Sequence, residues 1–329
     1  MSIIVLKPGL LSSFQDLGRF GYQHLGVSAS GAMDCRAHRL ANLLAGNPEE
    51  EATLEVTLAG PTLRFEAPGC IAISGAQLSP TLNQKPVPNN RPLVVRAGDT
   101  LAFGPRIAGL RAYIAWNGGI DLPMVMSSRS TYLRGGFGGF KGRALKKDDI
   151  LTMRRSLDGH MLDELEQDIW NIKVYLPAIL GLASRTTIRA MRGEHTALFT
   201  DASINDFFTH SYRISAQSER MGYRLDGARL SLKSTTQLLS EATSFGSIQV
   251  PQDGNPIILM ADRQTTGGYA KIAHAATVDL PIIAQCMPGE TLRFTETTLA
   301  QAQQLDNQRE AAFRQLHQAL APLRALLQG

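Results

Sequence analysis

Three stretches of this 329-residue sequence carry polar side chains in patterns that could bind or transform a small molecule. The densest is Ser127-Ser128-Arg129-Ser130-Thr131-Tyr132-Leu133-Arg134-Gly135-Gly136-Phe137-Gly138-Gly139. Glycine-rich backbone can aim several N–H groups at one anion, and hydroxyls and arginine complete such a nest. The run is not a P-loop, because Lys141 has neither a preceding glycine nor a following Ser or Thr. Its alternative reading is a surface loop. The second stretch runs through Gln249 and on to Asp262-Arg263-Gln264-Thr265-Thr266-Gly267-Gly268-Tyr269. It places amide and hydroxyl groups at a strand end, and both offer a donor and an acceptor, which suits a small amide or lactam. The alternative is a hairpin turn whose polar groups satisfy its own backbone. The third pattern occurs twice, as Arg19-Phe20-Gly21-Tyr22 before Gly26 and as Arg220-Met221-Gly222-Tyr223 before Gly227. Glycine between bulky neighbours permits a bulge or a close approach. Arg19 and Arg220 then either hold an anion or pair with a nearby carboxylate such as Asp16. Asp16, Glu241 and Asp262 are the candidate catalytic groups, as general bases or as arginine partners.

Several chemistries find no residues. Gly-x-Ser-x-Gly is absent, and the seven histidines lack a metal-ligand spacing such as His-Glu-x-x-His. Cys35, Cys70 and Cys286 are odd in number and far apart, so neither a disulfide framework nor a zinc site is expected. The net charge of +4 is too balanced for a nucleic-acid binder, although arginines outnumber lysines by 25 to 8. No apolar run approaches membrane-spanning length, and the N-terminus reads as a first strand rather than a leader. Cytosol is the expected location.

Short apolar segments between Gly, Pro, Asn and Asp turns must position these groups. Strands are expected at 2–6, 62–65, 71–74, 93–96, 100–103 and 111–116, then at 172–175, 187–191, 247–250, 256–260, 281–285 and 291–294. Many short strands with frequent turns indicate barrels or sandwiches. Three helices interrupt them. One spans about 32–44, capped by Ser30 and stopped by Gly46-Asn47-Pro48. A second opens on a capping box at 203–206. The third is C-terminal, with Pro322 ending or kinking it. The polar stretch 154–168 reads as a linker. The resulting division is a first lobe at 1–155, a linker at 156–168, a second lobe at 169–295 and the C-terminal helix at 296–329. The paired Arg-x-Gly-Tyr motifs, with Gly98-Asp99-Thr100-Leu101-Ala102-Phe103 matched by Gly289-Glu290-Thr291-Leu292-Arg293-Phe294, point to duplicated lobes. Asp148-Asp149-Ile150-Leu151 roughly fits the second motif as well.

Longer motifs enclose these features. They include Phe14-Gln15-Asp16-Leu17-Gly18-Arg19-Phe20-Gly21-Tyr22, Ser30-Gly31-Ala32-Met33-Asp34, Gly118-Gly119-Ile120-Asp121, Ser218-Glu219-Arg220-Met221-Gly222-Tyr223 and the stretches 246–251, 261–269 and 285–294. In these the chain resembles, over residues 1–295, the biotin-dependent carboxyltransferase family, also called allophanate hydrolase subunit 2, whose free-standing bacterial members are the C-type subunits of 5-oxoprolinase. The resemblance implies a mainly β fold of two cyclophilin-like β-barrel lobes. It implies a stable complex with the 5-oxoprolinase B-type subunit, and joint work with the A-type one. The reaction would be ATP-dependent opening of 5-oxo-L-proline to L-glutamate, with ATP, and magnesium with it, held by the complex. Against that chemistry the substrate-binding candidates are Arg19, Ser128, Arg129, Ser130, Thr131, Gly135, Gly136, Arg220, Gln249, Gln264, Thr265, Thr266 and Tyr269. Relatives within urea carboxylase use biotin, but no Met-Lys-Met attachment site occurs here, so biotin would arrive on another protein. A third implied role is non-enzymatic, antagonising a kinase inhibitor by binding the B-type subunit.

Overall fold

The computed structural model describes residues 1–182, 185–234 and 238–328; Gly329, the end of the expected C-terminal helix, lies outside them. The chain forms two compact units. The first comprises Met1–Gly18, Asp34–Leu182 and Ala311–Gly329, and the second comprises Arg19–Met33 and Ala183–Glu310.

The first unit is built on two open sheets. One runs in the order Ile150–Thr152, Ser2–Lys7, Thr62–Phe65, Thr100–Phe103, Pro80–Leu82, Lys85–Pro86. The other runs Leu11–Gln15, Thr53–Thr57, Ala108–Trp116, Gly69–Gln77, Pro92–Val95. Alternation decides which side faces inward. Ile3 and Val5 are fully buried in one core with Leu54, Val56, Ile71, Ile73, Leu101 and Ile114. The other face of Gly69–Gln77 is buried too, under helix α1 (Cys35–Leu44). Gly75 makes that packing possible. Its φ is +93°, and a Cβ there would stand 2.4 Å from the Arg111 carbonyl and 3.2 Å from the Ala37 Cβ. The cap of α1 is Asp34, which accepts from the Ala37 N–H at 2.9 Å, and not Ser30, which lies in left-handed backbone before the helix. Helix α2 (Leu162–Asn171) occupies much of the expected linker. Its alternating acids mask the turn-by-turn recurrence of Leu162, Leu165 and Ile169, of which Ile169 is buried. Residues 172–175, expected as a strand, form none.

The second unit contains a closed seven-stranded barrel. Its order is Thr187–Arg192, Ala270–Ala275, Ser247–Val250, Ile257–Leu259, Gly222–Asp226, Ser211–Ile214, Thr291–Glu296, and a parallel pairing of the last with the first closes it. Ile188, Tyr212, Leu225, Ile248, Ile258, Ile272 and Phe294 fill the interior. Helix α3 (Asp201–Thr209) seats Phe207 flat on Phe294, with centroids 4.6 Å apart. Each such buried aromatic contributes about 1.5–3 kcal/mol. Thr200, not the expected box at Ser203, caps α3. Residues 281–285, expected as a strand, form helix α4 (Leu280–Gln285). All six of its residues are buried, so no polar face reports its period, and Pro281 suits a first turn.

The C-terminal segment is helical, as α5 (Leu299–Ala319) and α6 (Ala321–Gln328), broken just before Pro322 enters. Closure into a barrel is confined to the second unit among the described residues, against the expectation of one barrel in each half. The Arg-x-Gly-Tyr copies also differ from the expected one per lobe. Arg19 belongs with the second unit, as Arg220 does. Tyr22 leads a short 3-10 turn, whereas Tyr223 is a core residue of a barrel strand.

Candidate functional site

In the first unit the serine-rich run wraps Asp16. Asp16 follows the strand Leu11–Gln15, and its buried carboxylate collects four donors. Oδ1 accepts from the Gly18 N–H at 2.8 Å, from the Ser128 hydroxyl at 2.8 Å and from the Ser130 hydroxyl, while Oδ2 accepts from the Arg129 N–H at 2.5 Å. Ser130 Oγ in turn accepts from the Asp16 N–H at 2.9 Å. Thr131 is pinned to the Phe14 carbonyl through both its N–H, at 2.9 Å, and its hydroxyl, at 3.0 Å. The anion that this nest holds is therefore a carboxylate of the chain itself. Gly135 and Gly136 stand apart from Asp16, in a turn closed by the Gly136 N–H on the Tyr132 carbonyl at 2.9 Å. The Arg129 side chain is different from its neighbours. It is half-buried, it forms no ion pair among the described residues, and its buried Nε has no hydrogen-bond partner.

In the second unit Arg220 and Asp262 form a buried fork. Nε donates to Oδ2 at 2.9 Å and Nη2 to Oδ1 at 3.0 Å, while Nη2 also reaches the Gly31 carbonyl at 2.7 Å. Asp262 is thus an arginine partner. Arg19 is fully buried, its N–H bonded to the Ala29 carbonyl at 2.6 Å.

The strand-end residues gather on the outer wall of the barrel. Ile248 and Ile272 point inward, so Gln249 and Lys271, paired across neighbouring strands, point outward. Both are nonetheless buried, because a two-stranded sheet of Glu241–Ala242 and Thr266–Gly267 accompanies this wall. Gln264 Nε2 donates to Gln249 Oε1 at 3.3 Å. Lys271 Nζ donates to Glu241 Oε2 at 3.2 Å and to the Ala242 carbonyl at 3.0 Å. The Thr265 carbonyl accepts from the Thr243 N–H at 3.0 Å, fixing the turn. Gly267 lies so close that a Cβ there would stand 2.7 Å from Gln249 Nε2. His195 accepts the Lys271 N–H on Nδ1 at 3.2 Å, which leaves the proton of the neutral ring on Nε2, 3.7 Å from Glu241. Along the same wall His274 links Ser247, at 3.2 Å, to Glu194, at 2.8 Å. Ser247 is fully buried, so this trio orders the wall and offers no nucleophile to solvent. Tyr269 is half-exposed and lines a separate cavity of about 810 Å³ with Leu230, Lys233, Asp253 and Gly268.

The structure therefore brings Asp16, Ser128, Ser130 and the Arg129 backbone together, and separately Gln249, Gln264, Thr266 and Glu241. Lys271 and His195 were missed. A lone lysine in Tyr269-Ala270-Lys271-Ile272-Ala273 gives no spacing signal, but a charged residue inside a β-strand flanked by apolar ones is itself a cue. Among the described residues, no group of three or more His, Cys, Asp or Glu side chains could hold a metal ion, and no helix is long and apolar enough to cross a membrane.

The chain thus pairs a barrel unit with an open-sheet unit, each holding an internally paired polar cluster. The model of the carboxyltransferase domain, subdomain A and B, matches residues 25–296, and the chain belongs to that family. Over 313 residues it is 36% identical to the C-type subunit of the Escherichia coli K12 5-oxoprolinase, covering 95% of this chain and 96% of that one. The corresponding 5-oxoprolinase chain of Haemophilus influenzae is 37% identical over 308 residues, covering 94% and 95%. The crystal structure of the Kluyveromyces lactis urea amidolyase superposes with a TM-score of 0.86 at 31% identity, over 96% of this chain but 20% of that much longer one.

Proposed function

We propose that this chain is the C-type subunit of an ATP-dependent 5-oxoprolinase, opening 5-oxo-L-proline to L-glutamate with its B-type and A-type partners in the cytoplasm. The observation that carries the reading is the near end-to-end similarity to two such 5-oxoprolinase chains, at 36% and 37% identity. A lactam carbonyl is a poor electrophile. Phosphorylation of its oxygen by ATP, which leaves ADP, activates the ring carbon. Water adds there, the ring nitrogen departs as an amine to leave an acyl phosphate, and a second water hydrolyses that to glutamate and inorganic phosphate. The complex would hold ATP and its magnesium. The serine-rich run of this chain is a poor phosphate cradle, because its donors already serve Asp16.

Within the first unit, Arg129 has an uncommitted guanidinium that would suit an anionic group such as a phosphate. In the second unit Gln249, Gln264, Thr265 and Thr266 would face the substrate, with Tyr269 lining the separate cavity and Arg19 and Arg220 as framework. Of the three carboxylates, Asp16 is saturated and Asp262 is locked to Arg220. Glu241, half-exposed, would be the general base. A cyclophilin-like classification of the barrel belongs to the same proposal.

The urea amidolyase likeness favours one second reading, carboxyl transfer with biotin supplied by another protein. Glutamate release from 5-oxoproline and ATP, measured with this chain and its A-type and B-type partners, separates the two. Release should require all three chains and fall in Arg129→Ala and Gln264→Ala. No release with every component present overturns the 5-oxoprolinase reading.

A further inference from the structure

The outer wall of the barrel holds more hydrogen-bond donors than the described residues satisfy. Gln249 is 1% exposed, and its Nε2, with two protons to give, has no partner among the described residues. Its cross-strand neighbour Lys271 is 4% exposed and carries a full positive charge in the same enclosure. Gln264 contributes a second amide, whose Nε2 donates to Gln249 Oε1 at 3.3 Å. A buried donor without an acceptor is costly, and a buried ammonium needs a counter-ion.

The present counter-ion is weakly held. Glu241 is about half-exposed, sits 3.2 Å from Lys271 Nζ, and belongs to a two-residue strand with a single partner strand. His195 Nε2, 3.7 Å from Glu241, and the Glu194–His274 pair are further titratable groups on this wall. Gly267 packs directly on the Gln249 donor, and a Cβ there would stand 2.7 Å from its Nε2.

We propose that Lys271 and Gln249 form a carboxylate-binding subsite for the substrate, for which Glu241 is the place-holding counter-ion. An incoming carboxylate accepts from Lys271 Nζ and from the unused Gln249 N–H. Glu241, displaced, becomes the uncommitted carboxylate that ring opening needs. The subsite rests on the donors themselves; only the identity of the acid as 5-oxoproline rests on the proposed function.

The test compares binding of L-5-oxoproline and of its uncharged carboxamide to the full chain by titration calorimetry. The acid should bind at least about tenfold tighter than the carboxamide. Lys271→Met and Gln249→Leu should each weaken it roughly ten- to a hundredfold, with Lys271→Arg recovering part of the loss. Glu241→Gln should tighten binding while lowering kcat in the complex. Equal affinity for acid and carboxamide, no binding of either, or an unchanged affinity in folded Lys271→Met overturns the subsite. If Lys271→Met does not fold, the isosteric Gln249→Glu carries the test, since a second negative charge must abolish acid binding. Carboxylate-dependent binding lost in these variants, with no glutamate release by the full complex, upholds the subsite and overturns the 5-oxoprolinase reading. Glutamate release with unchanged KM in Lys271→Met and Gln249→Leu does the reverse.

Discussion

Replacing Asp16 by Asn should destabilise the first unit by about 3–5 kcal/mol, although the two side chains are nearly isosteric. The native carboxylate accepts three hydrogen bonds on Oδ1 and one on Oδ2. An asparagine that keeps its carbonyl oxygen toward Gly18, Ser128 and Ser130 must turn its NH2 toward the Arg129 N–H, now 2.5 Å from Oδ2. One charge-assisted bond then becomes a donor facing a donor, worth roughly 1.5–3 kcal/mol. The other three lose the benefit of the negative charge, at some tenths of a kcal/mol to about 1 kcal/mol each. The site is buried, so water does not readily repair it. The chain offers a local reporter, because both of its tryptophans, Trp116 and Trp170, belong to the first unit. Urea unfolding followed by tryptophan fluorescence should show a midpoint lowered by about 1–2 M at a slope of roughly 2–3 kcal/mol per M. A midpoint within about 0.3 M of the parent, at unchanged slope, would refute the argument that Asp16 organises the serine-rich run.

Acid should weaken the same unit through His38. Burial holds its pKa at about 4, below the 6.5 of a free imidazole. The folded chain thus resists a proton that the unfolded chain takes up, so this stability is complete above pH 6.5 and is lost as pH falls toward 4, by about 3 kcal/mol in all. Unfolding midpoints recorded across that window should fall in the parent and flatten in His38→Gln; parallel profiles would contradict the assignment. Arg220→Lys keeps the charge but not the fork to Asp262, and should cost the barrel roughly 1–3 kcal/mol, read as faster hydrogen exchange in strand Gly222–Asp226. Two glycine substitutions should separate strain from collision. Gly289→Ala, with φ at +92° and open space around it, should cost about 1 kcal/mol. Gly75→Ala, which also strikes the Arg111 carbonyl, should cost several times more in thermal unfolding.

The legible parts of the sequence were those governed by alternation and by local turns. Segments 62–65, 100–103 and 247–250 are strands with the expected limits, because each is bounded on at least one side by proline or glycine: Pro61, Gly104, and Gly246 with Pro251. Helix α4 was not legible, since six buried residues carry no period. Barrel closure was only half legible. It depends on the pairing of Thr187–Arg192 with Thr291–Glu296, about a hundred residues apart, and nothing local specifies that. At the site, polar residues clustered in sequence were found, but the wall that groups Gln249 with Lys271 and His195 depends on a register and a turn from distant segments.

The second repeated motif has a physical explanation that is simpler than duplication. At Arg96–Asp99, Lys146–Asp149 and Met287–Glu290 the chain makes the same turn. In each, the fourth residue's N–H donates to the first residue's carbonyl, at 3.1, 3.2 and 3.0 Å. In each, the fourth residue's carboxylate accepts the first residue's N–H, at 2.7, 2.7 and 2.9 Å. The third position is left-handed every time, at Gly98, Asp148 and Gly289, and Pro288 precedes the last of these as such turns favour. A strand begins immediately after each turn: Thr100–Phe103, Ile150–Thr152 and Thr291–Glu296. The match between residues 98–103 and 289–294, and the weaker match at 148–151, therefore record one solution to starting a strand after a tight turn, a carboxylate closing the turn it follows. Three occurrences, two in one unit and one in the other, do not pair as copies of a lobe would. The acid at the fourth position is what such a turn selects for. Replacing Asp99, Asp149 or Glu290 by Ala should speed hydrogen exchange at the start of its own strand and leave the other two unaffected.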